Sequence, residues 1–368
     1  MAGKFERKSF ADINLDDPFF DSLKDDYPGS ATSTGFLDWF HKKANQGERA
    51  LVFEDDQGVG AFVKLKPGEV EEIKLKDGTS LPPVDRLKIS TIKIDERNRN
   101  QRIGEGAIGL TLWQWRDQGA NEIYVTIFEK QAPLISLLEK YGFVYVGDNL
   151  NGERVYVKDR RKLDFSDPCK AFPFLSDAIE HAGCLAIDMD YHDTMFASSE
   201  LANTLQERVD ISVANGLKKV YIGSPGSLGF KVGEPVFIYR KFIPSEGSNI
   251  KPGRKSCITT YCIATKIVVV KSSGRELISY EEYRRIVGNK SVYDDFELST
   301  KYRTLANLTL IELLYCGYFG AGNNVNWAWL KDNGFWQDSH PVTFRYDRAQ
   351  FERIMREGNV DVANVIVH

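Results

Sequence analysis

The sequence predicts an α/β protein built from two different halves. The N-terminal half is expected to form a mixed, mostly antiparallel sheet with helices, because strand-like and helix-like segments alternate as far as about residue 158. The C-terminal half is dominated by β-rich runs and is expected to form a barrel with helical insertions. Between them, the charged stretch KDRRKLDFSDP (158–168) has the composition of a linker. These observations predict domains at residues 1–160 and 161–368.

The elements of the N-terminal half follow from periodicity and turn residues. A helical run starts at a serine–threonine cluster and stops at Gly47, and two strands then form a hairpin around a DQG turn. A third strand leads through a glycine-containing loop into a helix that ends near Gly119. In order, the segments are TSTGFLDWFHKKANQG (32–47), ALVFED (50–55) with GVGAFVKLK (58–66), LKISTIKI (87–94), the helix to Gly119, EIYVTIF (122–128), APLISLLEKYG (132–142) and the hairpin FVYVGDNLNGERVYVKD (143–159). One parallel crossover inside an antiparallel sheet accounts for this order.

Composition excludes several classes of protein. Of 368 residues, 42% are hydrophobic and 27% are charged, as in ordinary globular proteins. No apolar run approaches the ~18 residues of a membrane span, and MAGKFERKSF lacks a signal-peptide core, so we expect a cytoplasmic protein without membrane contact. The five cysteines form no C-x-x-C pair and the histidines are scattered, which indicates reduced thiols and no metal site. A net charge of −4 argues against nucleic-acid binding by overall charge.

The loop before the long helix has the character of a phosphate site. In RNQRIGEGAIG (99–109), glycines follow arginines where a helix begins, so backbone N–H groups and the helix dipole would both favour an anion. GEGAIG fits a dinucleotide motif, with Glu129 twenty residues further on, but the polar linker DERNRNQR separates the strand from the glycines. A triphosphate loop is excluded because no Gly-Lys-Ser/Thr is present. From the residues alone, the pyrophosphate of coenzyme A and an ordinary strand-to-helix turn without a ligand both remain open.

Residues of about 50–158 resemble the GNAT family of N-acetyltransferases. The resemblance lies in the order and spacing of TIKI, RNQRIGEG, the helix to RDQG, NEIYVTIF and LLEKYGF. It implies a donor site for acetyl-CoA, in which a strand splays from its neighbour and its backbone, near Ile92 and Ile94, hydrogen-bonds the pantetheine arm. The loop residues expected to hold the pyrophosphate are Arg99, Asn100, Gln101, Arg102, Ile103, Gly104, Glu105 and Gly106.

Two departures from the family pattern affect this site. Counted from the strand, the motif is Arg99-x-x-Arg102-x-Gly104, with an arginine in place of the first glycine; counted from the glycines, the loop is two residues longer. The tyrosine that often serves as general acid in the family falls at Leu138, and Tyr141 is the nearest substitute. Glu54, at the end of a strand, is a candidate base, acting through water.

The C-terminal half resembles the PUA-like superfamily, and its ASCH branch in particular. The match rests on Gly216, Lys218 and the VGEPV run, whereas Tyr221 stands where the branch has a glutamate. The resemblance implies binding of RNA or a modified nucleotide, through a basic and aromatic groove. Its candidate residues are Lys218, Lys219, Arg240 and Lys241 with Tyr221, Phe237 and Tyr239. The alternative is a structural barrel whose lysines are solvated.

LAIDMDYHDT (185–194) gathers three aspartates and a histidine, and its alternation predicts a strand with Asp188 and Asp190 on one face. A solvated acidic run explains it better than a metal site does. Trp113 and Trp115 are expected to pack in the core.

Three functions remain open. The first is an acetyl-CoA-dependent N-acetyltransferase whose second domain selects an RNA or RNA-linked acceptor. The second is a non-catalytic acyl-CoA-binding regulator that also binds nucleic acid. The third is an acetyltransferase for proteins or small amines, with the second domain as an interaction module.

Overall fold

The computed structural model divides into two compact units, Met1–Lys162 and Leu163–His368. It describes residues 4–30, 34–98, 100–202, 212–223, 229–244, 249, 252–337 and 340–368. Among the described residues, no helix combines the length and apolar character needed to span a membrane. The five cysteines are buried and free, as the sequence predicts.

The N-terminal unit contains nine strands and four α-helices among its described residues. The strands are β1 (Lys4–Ser9), β2 (Arg49–Asp55), β3 (Gly58–Glu69), β4 (Ile73–Lys74), β5 (Ser80–Leu81), β6 (Arg86–Ile94), β7 (Glu122–Ile127), β8 (Val144–Asp148) and β9 (Arg154–Asp159). The helices are α1 (Asp21–Asp26), α2 (Phe36–Asn45), α3 (Ile103–Gln118) and α4 (Ala132–Lys140), with 3-10 turns at Phe10–Asp12, Pro18–Phe20 and Glu96–Asn98.

Seven of these strands form one sheet in the order β1-β2-β3-β6-β7-β9-β8. Every neighbouring pair is antiparallel except β6 and β7, which are parallel and are connected through α3. This confirms the predicted mixed, mostly antiparallel sheet with one crossover. The connection needs a helix because parallel strands cannot be joined by a tight turn.

Helices cover both faces of this sheet. Neighbouring residues of a strand point to opposite faces. Val52 packs with Phe20 and Phe40 in a cluster built by α1, α2 and the turns before them. Phe53 packs on the other face with Ile103, the first residue of α3. Trp113 and Trp115 of α3 are buried, as predicted. The core of the unit therefore has two layers, one on each side of the sheet.

The sequence did not predict β1 or α1. The strand KFERKS is short, half of its residues are basic, and it lies at the edge of the sheet against β2, so it lacks the apolar alternation of a central strand. Helix α1 has six residues, of which only Leu23 is buried, so no periodic stripe is available to reveal it. The predicted helix at 32–47 begins later than expected, at Phe36.

The C-terminal unit is β-rich with helical insertions. Its strands are β10 (Leu175–Ser176), β11 (His181–Asp188), β12 (Lys218–Gly223), β13 (Pro235–Lys241), β14 (Cys257–Ser272), β15 (Arg275–Glu276), β16 (Leu308–Tyr318), β17 (Val325–Asn326), β18 (Arg345–Asp347) and β19 (Ile366–Val367). Its helices are α5 (Pro168–Ala171), α6 (Met189–Met195), α7 (Ser212–Asn215), α8 (Pro252–Lys255), α9 (Tyr280–Val287), α10 (Asp295–Thr304), α11 (Trp327–Asp332), α12 (Arg348–Glu357) and α13 (Val362–Val365), with a 3-10 turn at Pro341–Thr343.

The main sheet of this unit does not close among the described residues. Its order is β12-β16-β14-β13-β11-β18, with β15 and β17 added to β14, so β12 and β18 remain as two edges. The expected barrel is therefore not seen in this part of the chain.

A second expectation for this unit is wrong. Strand β11 ends at Asp188 and α6 begins at Met189, so Asp190 lies on a helix and does not share a strand face with Asp188. Alternation over six residues cannot show where a strand gives way to a helix.

Candidate functional site

Strands β6 and β7 separate part of the way along their length. They pair from Arg86 opposite Glu122 as far as Ile89 opposite Val125. Beyond that point β6 stays paired to β3 up to Ile94, and β7 stays paired to β9 up to Ile127. Among the described residues, 90–94 of β6 therefore have no strand on their β7 side, and they are half-buried. The result is a gap bordered by backbone N–H and C=O groups that no neighbouring strand pairs with. The backbone-like amides of an extended ligand can form hydrogen bonds with these groups.

A change of register accompanies this separation. Thr91 of β6 lies opposite Lys64 of β3, whereas Ile89 lies opposite Leu65, so Ser90 is an extra residue in β6. A bulge of this kind bends the strand that contains it and increases its local twist. The gap thus begins at Ser90, the bulge residue at which β6 bends. Ile92 and Ile94, predicted to offer backbone to the pantetheine arm, both lie beyond the bulge and border the gap.

The loop after β6 ends in a left-handed turn at the start of α3. Asn100 and Arg102 have φ angles of 70° and 60°, and the N–H of Gln101 donates to the carbonyl of Asn98 at 3.2 Å. Arg102 is the residue that precedes the helix, and no side chain caps this end. The first N–H groups of a helix lack partners within it, so this end is suited to an anion.

The residues of the two predicted frames have different positions at the start of α3. The helix begins at Ile103, so Arg102 directly precedes it and Gly104 is its second residue. Arg102 adopts the left-handed conformation that glycine adopts most easily. Gly106 lies further on, inside the helix. Arg99 lies outside the described residues.

A carboxylate and two cations are concentrated at this helix end. Glu105 lies in the first turn of α3, where its Oε2 is 2.5 Å from Nη2 of Arg102 and its Oε1 is 2.8 Å from Nζ of Lys140. Burial of the Glu105 carboxyl would raise its pKa, but Arg102 and Lys140 outweigh that effect and lower the pKa to about 2. The cluster carries one net positive charge with Glu105 ionised.

Gly104 allows two neighbouring side chains to approach α3 closely. A Cβ atom at this position would lie 3.1 Å from Cδ2 of Leu137 and 3.3 Å from Cδ1 of Ile94. Leu137 belongs to α4 and Ile94 is the last residue of β6. The glycine therefore brings the helix start, the end of the open strand and α4 together.

Of the two candidate catalytic side chains, Tyr141 adjoins the cluster of Arg102, Glu105 and Lys140, because Nζ of Lys140 lies 5.3 Å from the centre of its ring. Tyr141 is fully buried beyond the end of α4, and its backbone carbonyl accepts a hydrogen bond from Nζ of Lys158 at 2.6 Å. Leu138 is also fully buried. Glu54 is in β2, which β3 separates from β6, and its carboxylate forms an ion pair with Lys8. Glu54 is therefore one strand removed from β6, the strand that borders the gap.

The four predicted nucleic-acid-binding cations do not form one surface. Lys219 is fully buried and its Nζ donates to the carbonyl of Val213. The Arg240 side chain is 4% exposed and holds Asp193 through two hydrogen bonds of 2.7 and 2.8 Å. The other two cations, Lys218 and Lys241, reach solvent, each in an ion pair, with Glu312 at 2.9 Å and Asp188 at 3.2 Å respectively.

The acidic run 185–194 contributes to a buried network. Nδ1 of His192 lies 2.8 Å from Asp193, and its Nε2 lies 2.7 Å from the hydroxyl of Thr259. Burial lowers the pKa of His192, and Arg240 and His192 keep that of Asp193 well below its ordinary range against the opposing effect of burial. Within the described residues, no group of three or more side chains is arranged to hold a metal ion. The sequence signal for this network is Arg240, which follows the apolar run PVFIY and therefore indicates a buried cation that needs a carboxylate.

Two further lysines, on β6 and after β7, contact the segment around α1. Lys93 of β6 donates to the carbonyl of Phe19 and, at 2.6 Å, to Oγ of Ser22. Lys130, just after β7, forms an ion pair with Asp26 at the other end of α1. The position of Lys93 between Ile92 and Ile94 at the end of β6 is the sequence signal that could have indicated the first of these contacts.

Comparison with known proteins gives a match in solved structures alone. No protein-family profile matches the chain, and no curated protein of similar sequence is found. Ard1 from Thermoplasma volcanium is 17% identical over 43% of this chain and 95% of its own, with a TM-score of 0.31. A GNAT-family acetyltransferase from Streptococcus agalactiae is 17% identical over 44% of this chain and 96% of its own, with a TM-score of 0.31. An N-acetyltransferase from Staphylococcus aureus is 16% identical over 43% of this chain and 99% of its own, with a TM-score of 0.30. At these values the likeness assigns neither an activity nor a substrate to the chain.

Proposed function

We propose that the N-terminal unit is an acetyl-CoA-dependent N-acetyltransferase. The observation that carries the proposal is the gap between β6 and β7, which opens beside the uncapped start of α3. An extended pantetheine arm with two amide groups can pair with the backbone of residues 90–94, including Ile92 and Ile94. The pyrophosphate would then meet the helix N-terminus, where backbone N–H groups and the helix dipole both favour negative charge.

The residues around the helix start suit a pyrophosphate. Asn100, Gln101 and Arg102 form the turn, and Ile103, Gly104 and Glu105 supply the first backbone N–H groups of α3. Arg102 and Lys140 together outweigh the charge of Glu105, so the surroundings stay positive. Gly106 supports the site from inside the helix, and Arg99 is proposed to add a further charge.

The chemistry is a direct transfer. A neutral amine nitrogen forms a bond to the carbonyl carbon of the thioester, while backbone N–H groups at the gap polarise the carbonyl oxygen. The carbon–sulfur bond then breaks, the nitrogen gives up a proton, and the thiolate of coenzyme A leaves and is protonated. Because Leu138 cannot donate a proton and the ring of Tyr141 is buried, solvent is the proposed proton source. Glu54 remains a proposed base that would act through water.

Calorimetric titration tests the donor assignment. Acetyl-CoA should bind the full chain and raise its melting temperature, whereas NAD should do neither. Binding of NAD without binding of acetyl-CoA would refute the proposal. Release of free thiol from acetyl-CoA in the presence of an amine panel then separates an enzyme from a regulator that only binds the donor.

For the C-terminal unit, RNA or a modified nucleotide remains the proposed partner. Of the predicted basic residues, Lys218 and Lys241 are the two that reach the surface, so we expect weak binding with a shallow salt dependence. Filter binding of the full chain to structured RNA at several salt concentrations tests this. Absence of binding at low salt would favour a protein or small-amine acceptor.

A further inference from the structure

A buried glutamate directly before β9 has no cationic partner. Glu153 is 6% exposed. Its Oε1 accepts a hydrogen bond from the hydroxyl of Tyr27, and its Oε2 accepts one from the side-chain amide of Asn149, each at 2.8 Å. Among the residues that the structure describes, no lysine, arginine or histidine forms an ion pair with this carboxylate. Burial of a carboxylate without a cation costs stability unless hydrogen bonds compensate, and a tyrosine supplies one of the two here.

The turn that carries Glu153 is held by its own hydrogen bonds. The N–H of Asn149 donates to the carbonyl of Glu153 at 2.8 Å, and the N–H of Glu153 donates to Oδ1 of Asn149 at 2.9 Å. The next residue, Arg154, lies opposite Ile127, the last residue of β7. The carboxylate is therefore fixed at the end of β7 that borders the gap.

Tyr27 lies at the same end of β7. Its ring is 5.6 Å from that of Phe128, the residue that follows β7, and the side chain is 38% exposed. Burial raises the pKa of Tyr27 and the carboxylate of Glu153 raises it further, so the phenol keeps its proton and donates it to Glu153. The phenol oxygen retains lone pairs, which can accept a hydrogen bond from another N–H group.

The transfer chemistry needs a proton acceptor near the gap. The attacking nitrogen must lose a proton, and a side chain that takes it speeds the reaction. Glu54, the base suggested by the sequence, lies in β2, which β3 separates from β6. Tyr27 lies beside the end of β7, one of the two strands that border the gap, and Glu153 is its hydrogen-bond acceptor.

We propose that Tyr27 and Glu153 form a relay that removes the proton from the acceptor amine. The nitrogen bonds to the thioester carbon and the carbon–sulfur bond breaks. The proton of the nitrogen moves to the oxygen of Tyr27 while the Tyr27 proton moves to the carboxylate of Glu153. Loss of that proton to solvent restores the pair, and solvent protonates the departing thiolate. Tyr27 is the catalytic residue, and Glu153 is a positioning residue that acts through it. The inference rests on the proposed acetyltransferase function and adds its base.

The variant Glu153→Gln tests the relay in the full chain. The assay is thiol release from acetyl-CoA with a panel of butylamine, putrescine and a peptide with a free N-terminal alanine, followed by kinetics on the amine that the wild type acetylates fastest. Near neutral pH, kcat should fall by about 100-fold, the usual value of a general base. The ratio of wild-type to variant kcat should shrink as the pH rises, because hydroxide then takes the proton.

Tyr27→Phe should show the same loss and the same recovery at high pH. The double variant Tyr27→Phe, Glu153→Gln should lose no more than either single variant, because both changes interrupt one relay. Tyr145→Phe is the matched control and should keep the wild-type kcat. Tyr145 also donates to a carboxylate, that of Asp148 at 2.9 Å, but it lies in β8, which β9 separates from β7.

Affinity for acetyl-CoA, measured by calorimetry, should equal that of the wild type in every variant. If Glu153→Gln does not fold, Tyr27→Phe decides alone, and wild-type kcat in that variant would overturn the inference. A loss in either variant that does not change with pH would also overturn it, since that result indicates a structural role. A loss confined to Glu54→Gln would assign the base to Glu54 and leave the proposed function standing. Failure of the wild type to bind acetyl-CoA, or to acetylate any amine of the panel, would refute the proposed function itself.

Discussion

Each unit contains a carboxylate held by two basic side chains, and the two clusters have different surroundings. In the N-terminal unit, Glu105 pairs with Arg102 and Lys140 at a helix end where partly exposed groups adjoin an open gap. In the C-terminal unit, Asp193 pairs with Arg240 and His192 inside the core. The start of α3 that carries the first cluster adjoins Ile94 at the gap between β6 and β7, whereas the second cluster is enclosed by the core. The surroundings, more than the residue types, therefore distinguish the candidate site from the structural network.

The largest effect is expected from breaking the buried cluster. Arg240→Met leaves the Asp193 carboxylate without its guanidinium partner, and removal of one member of a buried ion pair costs about 3–5 kcal/mol. Equilibrium urea unfolding of the full chain, fitted with one transition for each unit, measures this loss. Lys241→Met is the matched control, because its pair with Asp188 is exposed and should contribute at most about 1 kcal/mol. Equal losses for the two variants would contradict the structural role assigned to Arg240.

A smaller effect, dependent on pH, is expected from the cluster at the start of α3. The pKa of Glu105 falls from an ordinary 4.5 to about 2 in the folded chain. Its ionised form thus stabilises the fold fully above about pH 5, and that contribution, at most ~3 kcal/mol, is lost as the pH falls toward 2.

The measurement is the free energy of unfolding of wild type and Glu105→Gln as a function of pH. The difference between the two should be largest near neutral pH and should shrink steadily below pH 5. Glu357→Gln, at an exposed position, is the control for general effects of acid. A difference that does not change with pH would show that Arg102 and Lys140 do not stabilise the ionised carboxylate.

The donor site is tested by adding a side chain at Gly104. Gly104→Asp should weaken acetyl-CoA binding more than tenfold, because it introduces a negative charge next to the proposed pyrophosphate site. Gly104→Ala adds only the Cβ atom, which Leu137 and Ile94 can accommodate by moving a few tenths of an ångström, so its effect should be smaller. The measurement is the dissociation constant of acetyl-CoA for the wild type and both variants, determined by calorimetry. Unchanged affinity in both variants would place the pyrophosphate elsewhere.

The smallest effect concerns the backbone at Arg102. Its φ of 60° suits glycine and costs other residues about 1 kcal/mol. Arg102→Gly and Arg102→Ala both remove the contact with Glu105, so that loss cancels when the two are compared. Arg102→Gly should be the more stable of the two by about 1 kcal/mol in urea unfolding. Equal stabilities would mean that position 102 is not left-handed in solution.

Periodicity was enough to predict most of the N-terminal sheet. The strands around Phe53, Ile89 and Val125 alternate or are continuously apolar, so their burial leaves a pattern in the sequence. The glycines and arginines of the loop predicted an anion site at a helix start, and the helix indeed begins there. Residue 102 could not be assigned to a left-handed turn from its type, because arginine seldom adopts that conformation.

The burial and the partners of charged side chains in the C-terminal unit could not be predicted from the sequence. Lysine and arginine indicate charge but not its location, and Lys219 and Arg240 obtain their partners from Val213 and Asp193, which are several to many residues away. Contacts between segments distant in the chain depend on packing, which leaves no local pattern. The contacts of Lys93 and Lys130 with α1 were missed for the same reason.

The divergence of β6 from β7 has a consequence for the speed of binding. Pairing with β3 fixes the end of β6, and pairing with β9 fixes the end of β7. The gap between the two strands is therefore already open in the folded chain. A ligand that enters does not have to separate two paired strands first. Association should then be a single step whose rate rises linearly with ligand concentration, without the plateau that a slow opening would impose.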